Sequence, residues 1–242
     1  MHDLALSVHD LALVDRARVH GRTSVRADLA VDRAWTRWRP WSRSGHAAWT
    51  EAFEGADVVI HLAADGRQEA PWRPLLRNNI QATVNVMEAA VRHGVRRVVF
   101  ASSNWAVKAL ERELAPACYT PDGPKIGPVP PRPLTPYGVS KAFGELTGRR
   151  CVDELGLGSF VAVRIGSYHP VPPKNEDARR LWIGPEDLRS LLRRCVEAEF
   201  EGFHVVYGVS GQPTAPYDLS ETCRLLSWAP RQLLQDAPVG ST

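Results

Sequence analysis

Tyr137 and Lys141 stand four positions apart in Tyr137-Gly138-Val139-Ser140-Lys141. On a helix, residues i and i+4 share a face, so the phenol and the ammonium point into one space. Such a pairing can make a base of a tyrosine: a free phenol, with a pKa of about 10, keeps its proton at neutral pH, and a nearby cation favours the phenolate. Tyr-x-x-x-Lys is a weak signal alone, because an ordinary surface pair on any helix has the same spacing. A second feature strengthens it. Val98-Val99-Phe100-Ala101-Ser102-Ser103-Asn104 reads as a buried strand ending in hydroxyls, and open parallel sheets hold their ligands at the carboxyl ends of the strands. A serine there can hold a substrate oxygen against the tyrosine. Upstream, Asp57-Val58-Val59-Ile60-His61-Leu62-Ala63-Ala64 is another buried strand, ending in small residues that let a flat ligand approach the backbone. His61 within it reads as a core histidine satisfied by its neighbours rather than as a catalyst.

The elements that must position these groups alternate in type. Short β-rich runs at Leu11–Val14, Ser24–Ala27, Val58–Leu62, Arg97–Ala101, Phe160–Arg164 and His204–Tyr207 alternate with helical stretches at Pro71–His93, Pro136–Leu155, Pro185–Ala198 and Asp218–Leu226. That is the pattern of βαβ units on a parallel sheet, and most of the strands are too apolar to be half exposed. Pro136 suits a first helical position, and Asp218 suits a cap. Residues 115–136 hold Pro116, Pro121, Pro124, Pro128, Pro130, Pro131, Pro133 and Pro136, which predicts an irregular loop over the surface or over a site.

Composition limits what such a chain can be. With 242 residues, 44% hydrophobic and 24% charged, it suffices for one globular α/β domain, and disorder is excluded as the main state. The longest apolar stretches are a few residues, far short of the roughly 20 of a spanning helix, so no membrane partner is expected. The first residues lack a basic segment followed by an apolar one, so a cytoplasmic protein is expected. A net charge of +3 from 30 Lys+Arg and 27 Asp+Glu names no partner. Trp35, Trp38, Trp41 and Trp49 lie among Arg33, Arg37, Arg39 and Arg43; interleaving of that kind can stack on single strands, but one short cluster reads as an insertion packing on its own domain, and no nucleic acid is expected. Cys118, Cys151, Cys195 and Cys223 have neither metal-site nor disulfide-framework spacing and are expected to be reduced thiols, with no metal site. The pentapeptide His-Asp-Leu-Ala-Leu at 2–6 recurs at 9–13 and reads as a local duplication.

Taken in order, these segments resemble the extended short-chain dehydrogenase/reductases of the NAD-dependent epimerase/dehydratase type, over about Leu11 to Arg231. The series is Asp57–Ala64, Asn79–Ala90, Ser102-Ser103, Tyr137–Lys141 and Arg164-Ile165-Gly166-Ser167. Within that family Phe100–Asn104, Leu181–Leu188, Val206–Ser210 and Leu226–Pro230 look like the uronate dehydrogenases. The resemblance implies a Rossmann-like, doubly wound parallel sheet as a single domain over residues 1–242, with roughly 165–242 contributing a small substrate-side lobe. It implies NAD-dependent oxidation of a sugar or uronic acid hydroxyl, with Ser103, Tyr137 and Lys141 catalytic. Tyr137 would take the hydroxyl proton, Lys141 would lower the tyrosine pKa and hold the nicotinamide ribose, and Ser103 would orient the substrate oxygen. Asn104 and Ser167 would touch the sugar, and Arg179, with Arg180 adjacent, would clamp a carboxylate. NAD would be held by Asp15, Asp28, Leu29, Leu62, Ala63, Ala64, Asn79 and Lys141, the acid at Asp15 favouring NAD over NADP. The helices Pro71–His93 and Pro136–Leu155 resemble the pair through which family members form homodimers. Alternative readings are a nucleotide-sugar epimerase or dehydratase, disfavoured by the short stretch after Arg164, and a cofactor-less relative acting as a binding protein.

The sequence departs from that family at its start. No Gly-x-x-Gly-x-x-Gly occurs, and only 14 residues precede Asp15, whereas a βαβ unit takes roughly 30. The expectation is a sheet lacking its first strand and helix, with neighbouring strand edges left unpaired. Trp105 stands where uronate dehydrogenases tend to have a histidine, and Gly66 where they tend to have a serine.

Overall fold

The computed structural model describes residues 10–14, 24–26 and 48–232. A six-stranded sheet has the order β2-β1-β3-β4-β5-β8. Its parallel part is β3 (Val58–His61), β4 (Arg97–Ser103), β5 (Ser159–Ile165) and β8 (Gly202–Gly208). The parallel register aligns Val58 with Arg97, Arg97 with Ser159 and Ser159 with Gly202, so the carboxyl ends of all four strands share one edge.

Side chains alternate across a strand, and both faces of this sheet are covered. Val98, Phe100, Phe160 and Ala162 pack on Val86, Met87 and Ala90 of α2 (Ala82–Arg92) and Cys151 of α4 (Pro136–Leu155). Val99, Val161 and Val163 pack on the opposite side against Leu188, Leu191 and Cys195 of α6 (Pro185–Glu197) and Leu226 of α7 (Ser220–Leu226). This is the doubly wound arrangement the alternation predicts. Helix α1 (Trp72–Leu75) runs into α2 through a π-helical stretch at Leu76–Gln81, so the helix expected over Pro71–His93 is present with a wide turn inside it. The short helices α3 (Lys108–Leu114) and α5 (Glu176–Arg180), and the strand pair β6 (Ser167–Tyr168) and β7 (Trp182–Ile183), are elements that the sequence reading did not include.

Strands β1 (Asp10–Val14) and β2 (Ser24–Arg26) correct the all-parallel expectation. They pair antiparallel with each other, and β1 lies antiparallel on β3, with Ala12 opposite Ile60 and Val14 opposite Val58. Residues 15–23 alone join β1 to β2, fewer than the dozen or so that a parallel crossover requires. The edge of β3 expected to be unpaired is therefore covered. Most of the Trp/Arg stretch, including Trp35, Trp38 and Trp41, lies outside the described residues. No cysteine is bridged, and among the described residues no cluster could hold a metal and no helix is long and apolar enough to cross a membrane.

Candidate active site

Helix α4 carries the tyrosine and the lysine, and its sequence explains its seat. Thr135 caps it, its hydroxyl accepting from the Gly138 amide at 3.1 Å, and Pro136 opens the first turn. Gly138 allows that turn to lie against the end of β4: a Cβ there would come within 2.5 Å of the Trp105 carbonyl oxygen and 3.0 Å of Pro133 Cβ. Two turns on, Gly144 and Gly148 rest on the Phe100 and Phe160 rings, where added Cβ atoms would lie 2.2 Å from each ring tip.

Ser103, Tyr137 and Lys141 come together at the carboxyl end of β4, all of them buried. Ser103 lies near enough to the Tyr137 phenol to draw its pKa down. Ser103 Oγ donates to Asn104 Oδ1 at 3.2 Å and accepts from the Trp105 amide at 3.2 Å. Lys141 Nζ donates to the Ala101 carbonyl at 2.7 Å and stands 5.7 Å from the centre of the Tyr137 ring.

The electrostatics correct one expectation. Burial pushes the Tyr137 phenol above its ordinary value, Ser103 draws it down, and Asp65 pushes it up. Lys141, bonded to a backbone carbonyl, is itself brought to about 8 by burial. The site therefore holds a protonated phenol rather than one already acidified by the lysine. His61 is brought to about 3 by burial and then by Lys141, and its Nε2 meets the Thr83 hydroxyl at 3.1 Å, whereas its buried Nδ1 has no hydrogen-bond partner among the described residues, so the expected core histidine is satisfied at one nitrogen only.

The remaining candidates divide. Asn79 sits in the π-helical turn with its amide committed to the protein: Oδ1 accepts from the Asp65 amide at 2.7 Å, and Nδ2 donates to the Asp65 carbonyl at 3.1 Å and Ser140 Oγ at 2.9 Å. It ties the loop after β3 to α4 instead of facing outward. Leu62, Ala63 and Ala64 line the start of that loop, and Gly66 has open space where a side chain would be. Asn104 is buried with Nδ2 unpaired. Ser167 Oγ meets His169 Nε2 at 3.0 Å. Arg180 is bound to Glu176 and Asp177 of its own helix, whereas Arg179 is half-buried and forms no ion pair among the described residues. Asp15, Asp28 and Leu29 lie outside the described residues; β1 ends beside Val58, at the amino-terminal end of β3, on the sheet edge opposite Ser103.

Sequence reasoning missed Glu145 and Arg164 as partners. They form a buried pair at 2.8 Å under the site, and Ser102 Oγ donates to Glu145 Oε1 at 2.6 Å. The available signal was spacing, since Glu145 continues the Tyr137–Lys141 series on the same face of α4.

Residues 1–180 match the family described as the NAD dependent epimerase/dehydratase family. The chain belongs to it. This family member is 40% identical over 190 residues to the NAD-dependent glucose-6-phosphate dehydrogenase of Haloferax volcanii, covering 74% of this chain and 70% of that one. It is 36% identical over 178 residues to the uronate dehydrogenase of Agrobacterium fabrum, covering 73% of this chain and 62% of the relative. A crystal structure of a mutant Agrobacterium tumefaciens uronate dehydrogenase complexed with NAD superposes with a TM-score of 0.67 at 31% identity, over 87% of this chain and 69% of that one. The resemblance drawn from the ordered motifs is thus borne out for family and fold.

Proposed function

We propose that this family member is an NAD-dependent oxidoreductase that oxidises a ring hydroxyl of a sugar or uronic acid. What carries the reading is the meeting of Ser103, Tyr137 and Lys141 at the ligand-binding edge of a doubly wound sheet. Bound NAD supplies the hydride acceptor. Tyr137 takes the hydroxyl proton, Ser103 holds the same oxygen, and the unpaired Asn104 Nδ2 donates to a neighbouring sugar oxygen. Arg179, with no ion-pair partner among the described residues, receives an anionic group of the substrate, and Ser167 lines the same side.

The nicotinamide ribose end of the cofactor fits the residues present. An ammonium has three hydrogens; Lys141 gives one to Ala101 and retains two for ribose hydroxyls. No glycine-rich turn for the pyrophosphate stands among the described residues. The protein works in the cytoplasm, where free thiols such as its four cysteines stay reduced. It is also a homodimer through α2 and α4: Leu146 is 63% exposed beside a groove of about 430 Å³ lined by Met87, Phe143 and Leu155. Sedimentation of Leu146→Glu as a monomer beside a dimeric wild type would support that interface, and a monomeric wild type would remove it.

The decisive experiment follows NADH formation with glucose 6-phosphate, L-arabinose, glucuronate and galacturonate. Turnover with one of these, abolished in Tyr137→Phe while NAD affinity is unchanged, is the expected result. Absence of NAD binding even at millimolar concentration would leave a binding protein with a family scaffold.

A further inference from the structure

Gly184, the residue after β7, is the N-cap of α6 and has no side chain with which to cap it. The cap comes from far along the chain. Gln232 Oε1 accepts from the amides of Glu186 and Asp187, each at 3.0 Å, and Gly184 leaves the room: a Cβ there would lie 2.2 Å from that same oxygen. Asp187 returns the grip. Its Oδ1 accepts from the Arg231 amide at 2.8 Å, and its Oδ2 from the Gln232 amide at 3.0 Å. The chain reaches this point by running back along α6 after α7. Arg194 Nε donates to the Leu226 carbonyl at 2.8 Å, and one turn nearer the start of the helix Ser190 Oγ accepts from Trp228 Nε1 at 2.8 Å.

Asp187 is 1% exposed, and no cation pairs with it among the described residues. Its third donor is Ser210, whose Oγ gives its hydrogen to Oδ2 at 2.7 Å. A hydroxyl has one hydrogen and two lone pairs; with the hydrogen spent on the carboxylate, Ser210 Oγ accepts from the Gly184 amide at 3.2 Å. The Ser210 amide in turn donates to the Trp182 carbonyl at 2.8 Å. One residue therefore holds β7 at Trp182 and just beyond its end. In the parallel pairing of β7 with β6, Trp182 stands opposite Ser167, and the Ser167 amide donates to the Leu181 carbonyl at 2.6 Å. Ser167 thus stands on a two-stranded ribbon anchored at Asp187, and Arg179 lies on α5, in the segment that joins the two strands. We infer that Asp187 is a positioning residue for the substrate: through Ser210 it fixes the β6–β7 ribbon, and with it Ser167 and Arg179, while the segment ending at Gln232 holds Asp187 in place. The binding part of this inference rests on the proposed dehydrogenase reading; the mechanical part does not.

The test compares Asp187→Asn, Ser210→Ala and their double variant with Ser190→Ala, which frees Trp228 of the same segment without touching Ser210. An amide presents one accepting oxygen where the carboxylate presents two, so Asp187→Asn cannot serve donors on both sides. KM for the sugar that the wild type oxidises should rise about tenfold in each of the first two variants, as expected for a lost hydrogen bond to a charged group. Their kcat and NAD affinity should change little, and the double variant should be no worse than the poorer single, because both act along one path. Ser190→Ala should keep the wild-type KM even with a lower melting temperature. A loss of folded protein lowers kcat per mole of chain and leaves KM alone, so the split separates position from stability. Wild-type KM in Asp187→Asn, rises that multiply in the double variant, or an equal rise in Ser190→Ala would overturn the role. A second arm needs no turnover: hydrogen exchange at the Ser167, Gly184 and Ser210 amides, measured relative to Val161 in β5, should quicken about tenfold in Asp187→Asn and stay at the wild-type rate in Ser190→Ala. If the wild type turns over no sugar, the dehydrogenase reading fails, and the exchange arm alone decides this one: unchanged exchange at those three amides refutes it.

Discussion

Glu145 and Arg164 face each other as a bidentate pair beneath the candidate active site, Arg164 Nε donating to Oε1 at 2.9 Å and Nη2 to Oε2 at 2.8 Å. The two side chains are 2% and 1% exposed, and Arg164 Nη1 goes on to the Tyr207 hydroxyl at 3.1 Å. The pair ties α4 to β5 one turn beyond Lys141. Removing one member of a buried pair leaves the other charged and unpaired, at a cost of about 3–5 kcal/mol. Glu145→Ala should therefore lose stability of that order in urea unfolding. A loss under about 1 kcal/mol would mean that water reaches and solvates Arg164.

Lys141 makes stability depend on pH in an unusual direction. Its pKa falls from 10.5 to about 8 on burial. Below about 8 both folded and unfolded chains carry the charge, and the burial penalty is present in full. Between about 8 and 10.5 the unfolded chain still binds the proton that the native one has released, so stability rises with pH. Lys141→Met has no such group. Its stability relative to wild type should fall by about 3 kcal/mol from pH 7 to pH 11, the size of the shift converted at about 1.4 kcal/mol per unit. Flat difference curves in denaturant titrations at those pH values would show that the ammonium is solvated.

Tyr137 bears on turnover in the same range. Burial holds its phenol above the ordinary value, so the proton-accepting form is scarce at neutral pH. Sugar oxidation by the wild type should accelerate as pH rises from 7 towards 10, with no plateau near neutrality. A plateau already at pH 7 would show that bound ligands bring the phenol down by several units.

These groups differ in how well the sequence disclosed them. Helix α4 has the bounds that Pro136 and the periodicity implied, because capping and helix formation are local. The strand that carries Ser103 and the one that leads to Ala63 were legible for the same reason, as apolar runs with defined ends. The orientation of β1 was not, since pairing direction depends on which distant edge lies free, and that edge belongs to β3. Arg164 and Asp187 were read only as parts of motifs. A buried charge looks like a surface charge until its partners, here Glu145 and Ser210, arrive from elsewhere in the chain.

Gly138 tests whether the close seat of α4 is what aligns the site. The space a Cβ would need is taken by the Trp105 carbonyl oxygen at 2.5 Å and Pro133 Cβ at 3.0 Å. Neither is the free end of a flexible chain, so the first turn of the helix must move. Gly138→Ala should gain up to about 1 kcal/mol in intrinsic helix propensity and still shift Tyr137 away from Ser103. A displacement near 1 Å at a reacting group costs about a hundredfold in rate. The expected outcome is kcat reduced by about that factor, with NAD affinity little changed and a melting temperature that falls only modestly. Wild-type kcat in Gly138→Ala would show that the turn can relax without carrying Tyr137 with it, and that the contact with Trp105 is packing alone.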